Sequence, residues 1–387
     1  MKILKGITWN HTRGYLPMAA TAQRFSELHP DVQIHWEKRS LQEFADQPVD
    51  ALSSQYDLLV VDHPFTGHAA KHGIFVPLND HIEQEFLDDQ GANSVGNSHA
   101  TYTFFGKQWA LAIDAATPIS TWREDLLKKH EAQPPQTWSE LIVLAQKGLV
   151  AIPAIAIDSL MNFYMLCVAL GEEPAIHNEF LASTETATAA LEHLRELLSH
   201  CSPECLSRNP IQTAEVMTQT DTIAYCPFAY GYSNYSRHNY ARTVLKAGGL
   251  VTLENGVRLR STLGGTGLAI SNRCKNVESA FAYTKLVASP ETQSNLYFTS
   301  GGQPSHRAAW VNETVNAASN NFFKDTLSTL DEAYIRPRTE GSIPLQDECG
   351  PIIHRHLKGD VALKSTIEQL NAVYREVFVK AKTLHSN

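Results

Sequence analysis

Between Gly6 and Val61 the chain alternates between strand-like and helix-like periods, and this alternation constrains the fold more than any other feature. Gly6 to Trp9 reads as a short strand. Pro17 suits a first helical residue, and Met18, Ala22, Phe25 and Leu28 then share one helical face. Val32, Ile34 and Trp36 alternate with Gln33, His35 and Glu37, as in a half-exposed strand. Ser40 and Glu43 have capping-box spacing, and Leu58 to Val61 is the unbroken apolar run of a strand buried on both faces. A β-α-β-α-β order predicts a parallel sheet covered by helices, with ligands received outside the carboxyl ends of its strands.

Beyond Asp114 the helical patterns lengthen, with helices expected over Ser159 to Leu170 and Thr184 to His200. A tyrosine-rich loop is expected at 225–240, a turn at Glu254-Asn255-Gly256 and a strand at Leu268 to Ile270. Leu363, Ile367, Leu370, Tyr374 and Val377 form the apolar stripe of a closing helix. At 387 residues the chain exceeds one comfortable core, so two lobes are expected. The formal charge of -9 is spread along the chain and argues against a nucleic-acid surface, which needs clustered Lys and Arg. No stretch reaches the roughly 20 apolar residues of a membrane-spanning helix.

A set of ordered motifs adds a family reading. Phe105-Gly-Lys-Gln-Trp-Ala-Leu-Ala-Ile-Asp114 is followed by Thr121-Trp-Arg-Glu-Asp125 and Pro134-Pro-Gln-Thr-Trp-Ser-Glu-Leu-Ile142. Within the last of these, Thr137 and Glu140 form a second capping box, and Gly148 can close the helix. Tyr56 to Pro64, Gly73 to Asn79, Gly264 to Ser271, Ser289 to Gln293, Gly301-Gly-Gln-Pro304, Arg336-Pro-Arg338 and Leu357-Lys-Gly359 continue the series. Together they resemble the solute-binding proteins of carbohydrate-type ABC importers, the maltose-binding-protein-like group. The resemblance implies an α/β, two-lobe periplasmic-binding-protein-like fold, each lobe a helix-covered, mainly parallel sheet, with hinge crossings between them. The expected lobes are 1–113 plus 267–310 and 114–266 plus 311–387. It also implies a monomer that captures a small-molecule ligand in an interlobe cleft by hinge closure, and an ABC permease as partner if the protein is exported.

Five stretches are candidate ligand contacts. In the loop Trp9 to Tyr15, Trp9, His11, Arg13 and Tyr15 offer stacking, hydrogen bonding and fixed charge, and Gly14 permits a sharp turn. Asp62 and His63 end a strand; Asp114 and Thr117 lie where the chain first crosses between lobes. Tyr230 and Tyr232 stand in the densest aromatic stretch and suit the apolar faces of a sugar. Gly265 and Thr266 belong to an expected glycine-rich loop, 264–267, that matches neither G-x-G-x-x-G nor a Walker loop. Arg13, Arg336 and Arg338 favour a sugar acid or related carboxylate over a neutral sugar, while the aromatics would also serve a quaternary amine.

His68 with His72 and His354 with His356 lack the further ligands of a zinc site and are expected on the surface, so no metal and no cofactor is expected. No nucleophilic triad announces itself, and no catalytic residue is assigned. Cys201 and Cys205 are close enough to pair across a turn, while Cys167, Cys226, Cys274 and Cys349 form no framework, and the six are expected to be mostly free thiols. The chain enters its first strand at once, without a basic and apolar leader, so it is expected in the cytoplasm as it stands and in the periplasm or outside the cell if a leader was trimmed. A cytosolic enzyme or intracellular ligand sensor on the same fold is the alternative.

Overall fold

The computed structural model describes residues 1–46 and 48–380. The strands of its two larger sheets are, in chain order, β1 (Lys2–Trp9), β2 (Val32–Arg39), β3 (Leu58–Val61), β4 (Leu111–Ala116), β5 (Pro118–Trp122), β6 (Tyr225–Tyr230), β7 (Lys246–Gly248) and β8 (Gly264–Ile270). They fall into two units, Met1–Ala116 with Leu263–Ala318, and Thr117–Thr262 with the chain from Ser319 onward.

In the first unit the sheet order is β2-β1-β3-β8-β4. β1 pairs parallel with β2 from Lys2 opposite Val32 to Trp9 opposite Arg39, and parallel with β3 through Gly6 and Ile7. Helix α1 (Thr12–Leu28) connects β1 to β2, as a parallel pair requires. It buries Met18, Ala22 and Phe25 against Leu4, Leu58 and Val60, while Leu28, expected on the same face, is 49% exposed at the helix end. Met18 and Phe25 each contribute about 1.5 to 3 kcal/mol through burial. All four residues of β3 are buried, which fits its unbroken apolar run. Ser40 and Glu43 exchange their capping bonds at 2.7 and 3.1 Å.

Two sequence expectations fail here. α1 begins at Thr12, not Pro17, because the His11 side chain caps it by accepting the Arg13 amide at 3.0 Å; Arg13 and Tyr15 are therefore helical. The glycine-rich segment at 264–267 is also no loop. β8 runs antiparallel to both β3 and β4, with Gly264 opposite Ala116, Gly265 opposite Ala115 and Thr266 opposite Asp114. These pairings keep 114–116 and 263–266 with the first unit, where the expected boundaries had placed 114–266 in the second lobe.

The second unit departs from the parallel pattern. Its sheet, in order β6-β5-β7, is antiparallel throughout. A long helical excursion separates Trp122 from Tyr225, and a chain that travels so far can return in either sense, so alternation alone cannot predict the direction. The first half of the expected tyrosine loop is β6 itself. Around the sheet pack α2 (Ala156–Ala169), α3 (Thr184–Ser199), α4 (Ser342–Lys358) and α5 (Leu363–Val373). α2 is buried nearly all round, as its mostly apolar sequence demands. The helix Trp138–Gln146 carries the predicted capping box of Thr137 and Glu140, and Gly148, at φ 72, lies just beyond its end.

Candidate functional site

Since β8 is antiparallel to both neighbours, β3 and β4 run the same way. The carboxyl ends of β1, β3 and β4 and the amino end of β8 therefore share one edge of the first sheet. This edge gathers Trp9, Asp62, Asp114 and Gly265, and α1 starts from it.

Its centre is an ion pair. Arg13 Nε donates to Asp114 Oδ2 at 2.8 Å and Nη2 donates to Oδ1, a two-pronged contact between residues 4% and 1% exposed. Burial pushes the Asp114 carboxyl above the usual carboxylate range, against the pull of the Arg13 guanidinium, with Asp62 adding to the rise. The expectation that Arg13 receives a ligand carboxylate is thus corrected, because the protein itself supplies the carboxylate. His11 is held down to about 4 by burial and by the charge of Arg13, so at neutral pH its ring is uncharged and Nδ1 can accept the capping bond.

Trp9 belongs to the core. It is 3% exposed, its ring centroid lies 5.2 Å from that of Phe44, and a Cβ on Gly14 would come within 2.4 Å of the indole. Gly14 is therefore needed for close packing, not for a turn. Tyr15 faces the groove beside Ile34 and Trp36, with Lys38 Nζ 5.0 Å above its ring. Asp62 accepts the His63 amide at 2.8 Å, and the buried His63 ring has Nδ1 3.2 Å from the same carboxylate oxygen.

Gly265 takes φ +102, and a Cβ there would lie 2.3 Å from the Asp114 carbonyl oxygen, so only glycine fits. Thr266 is 4% exposed, and its hydroxyl has no hydrogen-bond partner among the described residues. The Gly301-Gly-Gln-Pro304 motif supports β4: the Ala115 amide donates to the Gln303 carbonyl at 3.2 Å, and Gln303 Nε2 donates back to the Ala115 carbonyl at 2.8 Å. Sequence reading quoted that motif without recognising Gln303 as the residue fixing the strand that carries Asp114.

In the second unit the corresponding groups are uncharged. Thr117 Oγ1 lies 2.6 Å from Ser261 Oγ and 2.9 Å from the Thr262 carbonyl, and the Tyr230 hydroxyl lies 3.0 Å from Thr262 Oγ1. These bonds tie the residue entering the unit to those leaving it. Tyr232 and Tyr235 pack with Met217 and Cys226 around a cavity of about 20 Å³, room for roughly one water and far below the size of a sugar.

Asp158, in the first turn of α2, was not singled out by the sequence, where it reads as an ordinary acidic helix start. It is 5% exposed, its Oδ2 has no hydrogen-bond partner among the described residues, and burial pushes its carboxyl up to about 8. Arg336, a candidate for an anionic ligand, is buried with Nη1 3.1 Å from Gln346 Oε1. Of the four histidines expected on the surface, His356 is buried with Nδ1 2.9 Å from the Val361 carbonyl, and His354 Nε2 lies 2.7 Å from the Leu206 carbonyl.

Residues 20–321 match the family model described as bacterial extracellular solute-binding protein. Among solved structures, maltose-bound MalE3 of T. maritima superposes with a TM-score of 0.83 at 16% identity, over 99% of this chain and 100% of that one. An ABC transporter solute-binding protein from Agrobacterium radiobacter K84 in complex with ribitol gives 0.83 at 16% identity, over 97% and 99%. Another, from Thermotoga lettingae TMO with α-D-tagatose, gives 0.81 at 17% identity, over 96% and 100%. At these identities the likeness establishes a shared fold.

Proposed function

Because the chain belongs to the bacterial extracellular solute-binding protein family, we propose that its ligand is an uncharged polyhydroxylated molecule, a sugar or polyol, delivered to an ABC importer. The observation that carries this reading is the neutralised pair at the first sheet's edge: Arg13 is satisfied by Asp114 in two prongs, so recognition of a carboxylate would require breaking a buried ion pair. The uncharged groups offer a different chemistry. The half-buried Tyr230 hydroxyl, 3.0 Å from Thr262 Oγ1, can exchange hydrogen bonds with ligand hydroxyls. The burial of Trp9 between Phe44 and Gly14 removes one wall of the aromatic cage a quaternary amine would need.

Three relatives of the same fold were solved with maltose, ribitol and tagatose, and these provide a starting panel. Titration calorimetry with neutral sugars and polyols, each set against its matching acid such as glucose against gluconate, tests the reading. Binding of a neutral member with loss of affinity for its acid is expected, and tighter binding of the acids would overturn it. The partner is part of the same proposal: the chain acts as a monomer and engages a permease. Light scattering with and without a saturating sugar or polyol should give the mass of one chain; a stable dimer would overturn that part of it.

A further inference from the structure

His68 and His72 stand one helical turn apart at the end of the short helix Thr66–Lys71, and the His72 amide donates to the His68 carbonyl at 3.1 Å, which closes the turn between them. Positions i and i+4 put both imidazoles on one face. Their ring centroids lie 4.5 Å apart, and a ring nitrogen of one is within 4.8 Å of a ring nitrogen of the other. The preceding helix, Val49–Ser53, supplies Asp50, whose Oδ2 lies 2.8 Å from His68 Nε2. The His68 side chain is 34% exposed and His72 is exposed, so an ion can reach both. We propose that His68 and His72 bind a divalent transition ion of the nickel(II) type, with Asp50 as the residue that positions His68.

The carboxylate decides which nitrogen is left for the ion. Asp50 accepts and does not donate, so the His68 proton sits on Nε2, and Nδ1 keeps the lone pair that a metal needs. Metal-binding histidines almost always give their other ring N–H to such a partner, which fixes the tautomer and makes the ligand nitrogen more basic. An ion about 2.0 to 2.1 Å from each nitrogen needs the two nitrogens about 3 to 4 Å apart, and rotation of two exposed rings about their side-chain bonds closes the difference.

Water fills the other coordination positions. Two imidazoles with water suit nickel(II) or copper(II), which take nitrogen and oxygen ligands in tetragonal geometry, better than zinc, whose structural sites use four protein ligands; magnesium prefers oxygen alone. The bound ion places positive charge on the His68 ring and strengthens its bond to Asp50, and so ties the two short helices together. The other close pair lacks this arrangement. His354 and His356 are two apart on α4 and diverge, with Nε2 of the first 2.7 Å from the Leu206 carbonyl and Nδ1 of the second 2.9 Å from the Val361 carbonyl.

The whole chain, without a histidine tag, is titrated with nickel chloride by calorimetry, with magnesium chloride as the control. One nickel ion per chain is expected, and no binding of magnesium. Because the chain holds 17 histidines, variants must locate the ion. His68→Ala and His72→Ala should each weaken binding about tenfold or more, whereas His354→Ala should leave it unchanged. Asp50→Asn should weaken it about 10- to 100-fold, and Asp50→Glu should recover most of that loss. Circular dichroism checks that each variant is folded, which the exposure of all three side chains favours. Failure of the wild type to bind nickel, or nickel binding that is unchanged in both His68→Ala and His72→Ala, would overturn the proposal; unchanged binding in Asp50→Asn would remove the positioning role of Asp50.

Discussion

Asp114 in the first unit and Asp158 in the second are both carboxyls shut away from water, and the two units meet the cost of burial differently. Asp114 receives a guanidinium that grips both of its oxygens. Asp158 keeps its proton, because desolvation raises its carboxyl to about 8. The first unit thus buries a fixed pair of charges at its sheet edge, and the second a neutral acid.

Breaking the first unit's solution should have the largest effect. Asp114→Ala leaves a buried guanidinium without its carboxylate and should destabilise the protein by about 3 to 5 kcal/mol in urea unfolding. A double Arg13→Met, Asp114→Leu variant should recover most of that loss. If Asp114→Ala costs under about 1 kcal/mol, the pair is not the buried, compensated unit described.

The second carboxyl predicts a pH effect of opposite character. Its folded value of about 8 lies above the ordinary 3.8, so between those values the folded chain holds a proton that the unfolded chain has released. Stability from this group therefore falls as pH rises from about 4 to about 8 and levels off above. Asp158→Asn should flatten that slope, raising stability by as much as about 4 kcal/mol at pH 7 and changing it little at pH 4. Parallel urea curves for wild type and variant at pH 4, 6 and 8 would contradict a neutral buried acid.

Two glycines sharpen the contrast at smaller scale. Gly265→Ala forces a side chain onto a backbone at φ +102, with its Cβ against the Asp114 carbonyl, and should cost roughly 1 to 3 kcal/mol or more. Gly231→Ala in the second unit meets the Cδ1 end of Ile119 at 2.6 Å, which can rotate aside, so its cost should be lower. Equal costs by thermal unfolding would mean that the first unit's edge is no more rigid than the second's. The smallest effect belongs to Tyr230→Phe, which removes one hydroxyl contact to Thr262 and should cost about 0.5 to 1.5 kcal/mol.

How much of this was legible depends on the range of the interaction. β3 was readable to the residue because four adjacent apolar side chains leave no other buried strand to choose, and both capping boxes are local contacts over three residues. The start of α1 was not, because His11 caps it and histidine is not among the preferred capping residues. Glycines at 264, 265 and 267 suggested a loop, since glycine weakens strands; it is tolerated here because β8 runs between two strands and must pass close to Asp114 and Tyr102. The pairing of Arg13 with Asp114 spans 101 positions and leaves no trace in any local pattern. An arginine beside a tryptophan and a histidine looks like a ligand site until its partner is known.

The position of β8 also sets a timetable. Between Val61, which ends β3, and Gly264, which begins β8, lies the whole Thr117–Thr262 segment of the second unit. During synthesis at about 5 to 20 residues per second, β3 waits roughly 10 to 40 s with one edge unpaired. Its four buried apolar residues make that edge a template for mispairing. The second unit cannot finish early either, because it needs the chain from Ser319 onward. Translation speed across residues 62–263, more than equilibrium stability, therefore governs how long the nascent chain is open to misassembly.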